Sequence, residues 1–428
     1  MAKAAEPPSG TRDFLADEVR RRKAAFDTVS AVFERYGFDP LETPAFERLE
    51  VFAGKLGEDA SALIFKILKR GVHEASGEAD LALRYDHTVP LARVIGTYGS
   101  KLPSPYKRYA IGPVWRADRP AQGRFREFVQ CDIDTVGSSS PLADAETVWA
   151  LNDALTALGV EDFRFLVNSR QALHGLLEAY GIPEEAGARV LGSLDKLDKA
   201  APDAVVAELA DRGLAAETAE SLVGDVVAPD TDRIRKQLDT TERGRAGLAE
   251  VDRLLELTAG LPSGRVVFTP RMVRGLDYYT GPIFEVTAAG YPGSICSGGR
   301  YDGLVAKLGG PDLPACGGSI GLERILAGQA AADAEAGALD VALTVLGAED
   351  QVLRLANQLR ADGLRTAVYL GTSGKLARQL KWANDQHART VLIYGPAEQE
   401  AGEVTVRDMT SGEQTRVPVA DVPAHLRR

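Results

Sequence analysis

Sulfur and histidine are scarce in this chain. Its 428 residues include three cysteines, Cys131, Cys296 and Cys316, far apart and odd in number. A disulfide framework is therefore not expected, and a reducing compartment, the cytoplasm, is. The five histidines, His73, His87, His174, His387 and His425, share no metal-ligand spacing with the cysteines, so no protein metal site is expected. No run of 18 apolar residues occurs, which leaves no candidate for a membrane span. The opening "MAKAAEPPSGTRDF" lacks the apolar centre of a secretion signal. Positive charge is also short: 50 Lys and Arg face 61 Asp and Glu, a net charge of −11. Taken alone, that balance argues against a nucleic-acid partner.

One segment runs the other way. Residues 105–128 carry Lys107, Arg108, Arg116, Arg119, Arg124 and Arg126 against Asp118 and Glu127, six positive charges to two negative. Binding depends on local charge, so something anionic is expected to meet this segment. The rest of the composition, 45% hydrophobic and 26% charged, is that of an ordinary globular protein. The length suggests two or three domains and allows a large core.

A helical period runs from about residue 13 to 36, stopped by Gly37. "DLALRYDHTVPLARVIGTYG" reads as a strand entering a helix. "YKRYAIGPVWRADRPAQGRFREFVQCDIDTVG" reads as a long antiparallel strand pair around a polar tip. "DAETVWALNDALTALG" follows as an amphipathic helix. From about 168 to 264 the composition turns rich in Ala, Leu, Glu, Asp and Arg, helical in period and without a catalytic-looking cluster. It reads as a helical insertion. Strand-like sequence returns at Arg265. The alanine-rich 327–338 suits a linker. From 339 to 428, alternating strands and helices predict a small α/β domain ending in a hairpin.

Chemistry-bearing residues gather in four places. In the hairpin, alternate residues of a strand share a face, so Arg124, Arg126 and Phe128 are expected to point the same way. Arginine forks grip phosphate oxygens, and a phenyl ring can stack on a purine. A solvated edge with surface arginines reads equally well. "GGSIGLERIL" sets Arg324 at a helix start behind glycines, which suits phosphate or simply a packing turn. "LRYDHTVP" offers Asp86 and Thr88, either helix caps or ligands for an ammonium group. "FVQCDIDTVG" alternates Gln130, Asp132 and Asp134, with Gln130 and Asp134 on the face of Phe128. Finally "RGLDYYTG" puts Arg274, Asp277, Tyr278 and Tyr279 between two strand-like runs. Tyr278 and Tyr279 could be plain core aromatics. Together these pieces are what an enzyme needs to hold an amino acid beside ATP.

The ordered motifs resemble the class II aminoacyl-tRNA synthetases, and among them the histidyl-tRNA synthetases. "PSGTRDFL", "LETPAFE", "VWRADRPAQGRFREFVQCDID", "RGLDYYTG", "SGGRYDGL" and "GGSIGLERIL" match that family in order, over essentially the whole chain. "RGLDYYTG" and "GGRYDGL" are its histidine-specific signatures. The resemblance implies an α+β fold: an antiparallel sheet flanked by helices and interrupted by the helical insertion, spanning 1–326. A C-terminal α/β anticodon-binding domain would span 339–428. It implies a homodimer built around the Pro44 segment. It also implies ATP-dependent ligation of L-histidine to tRNA(His) through a histidyl-adenylate, with Mg²⁺.

By the same resemblance Arg116 and Arg274 are the catalytic cations on the α-phosphate. Arg124 and Arg324 hold the outer phosphates, and Phe128 stacks on adenine. Asp86, Thr88, Gln130, Asp134, Arg274, Tyr278, Tyr279 and Tyr301 form the histidine pocket. The tRNA would meet Arg119 and Gln122 at the hairpin tip and Lys375, Arg378 and Lys381 on a C-terminal helix. Two positions depart from the family pattern. Where relatives often place a glutamine two residues after the tip arginine, this chain has Ala121, with Gln122 next. Where many relatives have glutamate it has Asp86. A different reading is a non-catalytic, histidine-sensing regulator of histidine biosynthesis. Such paralogues typically lack the anticodon domain and signature arginines. A ligase for threonine, proline or glycine is disfavoured by "RGLDYYTG".

Overall fold

The computed structural model describes residues 5–52, 62–121, 123–198, 200–228, 231–273, 278–291, 293–329 and 339–426. Arg274, Asp277, Gln122 and most of the expected linker, residues 330–338, lie outside the described residues. Two compact units form. One holds residues 1–13 and 22–330, the other 14–21 and 331–428.

An eight-stranded sheet organises the first unit. Its strands are β1 (Asp39–Pro40), β5 (Tyr106–Trp115), β6 (Glu127–Val136), β7 (Phe163–Ser169), β8 (Val266–Phe268), β9 (Pro282–Ala288), β10 (Cys296–Arg300) and β11 (Ala315–Gly321). Their order is β1-β5-β6-β11-β10-β9-β7-β8. The middle is antiparallel, as the family resemblance implies, but both edge pairs, β1 with β5 and β7 with β8, are parallel. The flanks of "RGLDYYTG" are indeed strands. They are not paired with each other, since β7 lies between β8 and β9. A separate three-stranded sheet is formed by β2 (Phe46–Arg48), β3 (Lys66–Leu68) and β4 (Ala79–Leu83), with β4 in the centre.

Helix Pro141–Ala157 departs from its expected amphipathic character. Ten of its residues are buried, including Asp144, Thr147 and Asn152. It contacts both β11 and helix Glu242–Leu257, so two faces need apolar or small residues. Ser140 caps its start by accepting from the Leu142 amide, and Pro141 occupies the first turn. Among the described residues, six α-helices lie between β7 and β8, from Arg170–Ala179 to Glu242–Leu257. They join the sheet in one continuous apolar core through Leu173, Leu176, Leu222, Val251 and Leu254. Close approach is made possible by glycine. A Cβ on Gly247 would sit 2.1 Å from the Ala172 amide nitrogen.

The second unit contains a five-stranded sheet of β12 (Val341–Leu343), β13 (Thr366–Val368), β14 (Thr390–Ile393), β15 (Glu403–Asp408) and β16 (Gln414–Pro418). The order is β13-β12-β14-β15-β16, parallel for the first three and antiparallel for the closing hairpin. The expected strand–helix alternation is what the chain adopts.

Candidate functional site

A cavity of about 800 Å³ opens over the middle of the large sheet. Its floor is supplied by alternate residues of β6, so Gln130, Asp132 and Asp134 all face into it. Asp86 and Thr88 reach it from the turn after β4, Arg116 from the end of β5, Tyr278 and Tyr279 from just before β9, and Tyr301 from just after β10. Glycines let the floor lie deep. A Cβ on Gly317 would come within 2.2 Å of Asp134 Oδ1, so only hydrogen fits opposite that carboxylate.

Among the described residues, three carboxylates share this floor with the buried cation Arg108. It stands directly opposite Asp134 in the β5–β6 register. It is 0% exposed, and its Nη2 lies 2.6 Å from Asp134 Oδ2. The same nitrogen donates to the His87 carbonyl at 3.0 Å. Tyr301 donates its hydroxyl to Asp134 Oδ1. Asp86 does both things its position allowed. Its Oδ1 accepts from the Val89 amide at 3.0 Å and caps helix Thr88–Tyr98, while Oδ2 is buried without a protein partner. Gln130 Oε1 and Asp132 Oδ1 are likewise unpartnered. A buried acceptor without a donor costs free energy unless a ligand supplies one. Three such oxygens around one cavity call for a ligand rich in N–H groups.

Burial pushes all three carboxyl groups above their ordinary range. Asp132 is pushed up to about 7 by burial, with Arg108 pulling it back and Asp134 adding to the rise. Asp86 and Asp134 shift the same way for the same first reason, and Arg108 opposes both. His87 is held neutral, pushed down to about 3 by burial and then by the Arg108 and Arg84 charges. Its Nε2 donates to the Gly112 carbonyl at 3.1 Å. The tyrosines form an aromatic wall. Tyr278 lies 4.9 Å from Tyr279 and 5.8 Å from Tyr301, centre to centre. Behind Tyr301, Arg300 is buried and ion-paired to Asp144 at 2.6 Å, which fixes the strand end that presents the phenol.

The arginine hairpin is more divided than its count of charges suggests. Arg108 is spent on the acidic floor. Lys107 pairs with Glu146 at 2.9 Å. Strand β6 begins only at Glu127, so Arg124 and Arg126 lie in the tip and not on a shared strand face. Arg126 donates to the backbone carbonyls of Asp118 and Ser9. Arg124 is exposed and paired with Asp118 Oδ1 at 2.7 Å. Arg119 is exposed at the tip. Arg116 remains on the cavity wall. Its guanidinium lies 4.2 Å from the Tyr85 ring centre and 5.2 Å from that of Phe128. Phe128, Arg124 and Arg324 are not on the wall, although Phe128 adjoins it through Arg116. Arg324 opens helix Leu322–Gly328 and donates to the Ser294 carbonyl.

The family model for histidyl-tRNA synthetase matches residues 10–325. The chain belongs to the histidyl-tRNA synthetase family. A model of the anticodon-binding domain matches residues 340–428. Histidine–tRNA ligase of Gloeobacter violaceus is 41% identical, over 96% of this chain and 96% of that protein. Histidine–tRNA ligase of Cereibacter sphaeroides is 38% identical, over 96% and 91%. The crystal structure of histidyl-tRNA synthetase from Nostoc sp. PCC 7120 superposes with a TM-score of 0.80 at 30% identity, covering 100% of this chain and 99% of that one. As a member of this family the chain is an aminoacyl-tRNA synthetase. The anticodon-binding match is the part a regulatory paralogue would be expected to lack.

Within this synthetase the insertion does more than its composition suggested. Arg170, Ala188, Arg189, Leu191, Gly192 and Asp195 line the same cavity, so helix Glu184–Leu194 forms part of its wall. Asp132 was also absent from the expected pocket, although it has the same strand parity as Gln130 and Asp134. Among the described residues no helix is long and apolar enough to cross a membrane.

Proposed function

We propose that the protein joins L-histidine to tRNA(His) in two steps at this cavity. The histidine carboxylate attacks the α-phosphorus of ATP, the bond to the β-phosphate breaks, and pyrophosphate leaves. The 3′-terminal ribose hydroxyl of the tRNA then attacks the acyl carbon, and AMP departs. The observation that carries this reading is the set of buried, unpartnered acceptors, Asp86 Oδ2, Gln130 Oε1 and Asp132 Oδ1, beside a tyrosine wall. An ammonium and a flat N–H-bearing ring answer both features. Asp86, Thr88, Gln130, Asp132 and Asp134 receive the ammonium end. Tyr278, Tyr279 and Tyr301 enclose the imidazole.

Arg116 and Arg274 hold the α-phosphate, where charge builds in the transition state and a preorganised cation has most effect. Phe128 stacks on adenine, and Arg124 and Arg324 take the outer phosphates. For Arg124 that means leaving Asp118. Mg²⁺ fits as a passenger of the triphosphate. Such an ion keeps several waters and is held chiefly by phosphate oxygens with one or two carboxylates. Glu285 on the cavity wall supplies a carboxylate of the kind it takes. When bound, the ion neutralises phosphate charge.

The reading is tested by exchange of labelled pyrophosphate into ATP with each amino acid in turn. Histidine alone should support exchange. No exchange with histidine, with histidine still bound, would promote the regulatory reading instead. The protein works in the cytoplasm, a reading supported by three buried free thiols. It works as a homodimer through the Pro44 segment, where Phe46 on β2 and Leu68 on β3 are each 51% exposed.

For the tRNA, Arg119 and Gln122 meet the acceptor end. Lys375, Arg378 and Lys381 meet the anticodon from helix Leu376–Asp385. All three are exposed, and Lys381 is tied to Asp385 at 2.9 Å. Arg378→Ala should weaken tRNA binding and lower the slope of log affinity against log salt by about one. Filter binding between about 50 and 200 mM salt measures it, and an unchanged slope counts against this surface.

A further inference from the structure

The N-terminal "SGTR", residues 9–12, lies outside the cavity, yet it makes contacts that reach the nucleotide end of the site. Pro8 and Thr11 close a turn, with the Thr11 amide donating to the Pro8 carbonyl at 3.0 Å. Beyond the turn, the Gly10 carbonyl accepts from the Arg126 amide at 2.8 Å. Ser9 accepts from the Arg126 guanidinium at 3.2 Å. Gly10 has φ +84° and stands where a Cβ would come within 2.8 Å of the Arg126 side chain, so glycine is needed there twice over.

Arg12 then makes contacts of different kinds. Its guanidinium lies 3.6 Å above the Phe125 ring, between Arg124 and Arg126 in the hairpin tip. Its Nη2 reaches Glu323 Oε2 at 2.6 Å. Glu323 is a buried hub next to Arg324 in sequence. It also takes two bonds from Arg22 at 2.8 Å and one from the Val129 amide at 3.3 Å. Val129 is the neighbour of Phe128. One arginine therefore touches the tip that carries Arg124 and the carboxylate that ties Phe128 to Arg324.

We infer that Arg12 is a positioning residue for the nucleoside triphosphate: it holds the hairpin tip and helix Leu322–Gly328 in one register, so that Arg124, Phe128 and Arg324 act together. This rests on the nucleotide site proposed above. The side chain is 32% exposed, whereas Arg22, on the same carboxylate, is 10% exposed. With Arg12 removed, Arg22 still neutralises Glu323, so the fold keeps its buried ion pair while the tip loses its clamp.

The test uses full-length protein in the pyrophosphate exchange assay, with Arg12→Met and Phe128→Ala beside wild type. Arg12→Met should raise the KM for ATP about tenfold, with the KM for histidine, histidine affinity by calorimetry and the melting temperature unchanged. A wild-type KM for ATP in Arg12→Met, with Phe128→Ala impaired, overturns the inference. So does a parallel rise in both KM values with a lower melting temperature, which would mark Arg12 as merely structural. If Phe128→Ala leaves the KM for ATP unchanged, the nucleotide-site reading itself fails.

Discussion

Arg116→Ala is expected to cut histidine-dependent pyrophosphate exchange by about 10²–10³-fold, the size seen when one preorganised charge stabiliser is lost. The side chain is built for rigidity. Its amide donates to the Arg126 carbonyl at 2.9 Å, and Nε donates to the Tyr85 carbonyl at 3.2 Å. Tyr85 and Phe128 flank the plane. The terminal nitrogens are left to face the cavity, which is the arrangement a phosphate needs. The effect should fall on kcat, because a cation waiting at the α-phosphate is worth most when charge develops there. Arg116→Lys keeps a charge but not the fork, so it should recover only part of the rate. Histidine affinity by calorimetry should stay near wild type in both. If it falls as far as the exchange rate does, Arg116 serves the amino acid and the assignment to phosphate is wrong.

What could be read in advance followed local rules, and what could not followed packing. The β5–β6 hairpin shows both. Its tip and its alternation are visible as prolines, Gly123 and a period of two. The burial of Arg108 is not visible as composition, because a basic count treats every arginine as a surface charge. It was open to counting, since Trp115 opposes Glu127 and moving seven residues along each strand sets Arg108 against Asp134. The same parity would have added Asp132. Arg189 and Asp195 are a different case. They reach the cavity only because the insertion's helices pack on β7 and β9, a long-range contact without a local signature. The family resemblance supplied roles for residues whose geometry is ambiguous. Asp86 is one, being at once a helix cap and a cavity acceptor.

Arg108→Met should be the most destabilising single change in the acidic floor, at about 3–5 kcal/mol, because it strands buried carboxylates without their counter-charge. Methionine fills much of the volume, so the loss is electrostatic and not a cavity. Its sign with pH follows from proton binding. Asp132, Asp86 and Asp134 hold their protons more tightly folded than unfolded. Stability contributed by protonated acids is therefore present at low pH and lost as pH rises through the folded values. For Asp132 in the wild type that window runs from about 4, the ordinary carboxyl value, up to about 7. Arg108 lowers all three, so removing it extends the window upward. The variant's deficit should be small near pH 5 and large near pH 8. Urea unfolding at both values measures it. Adding Asp134→Asn should restore part of the loss at pH 8, because one stranded charge is gone while the amide oxygen that replaces the carboxylate can still accept from Tyr301. An equal deficit at the two pH values, or no restoration by the second change, would show that Arg108 contributes packing alone and does not set the charge of the floor that receives the substrate ammonium.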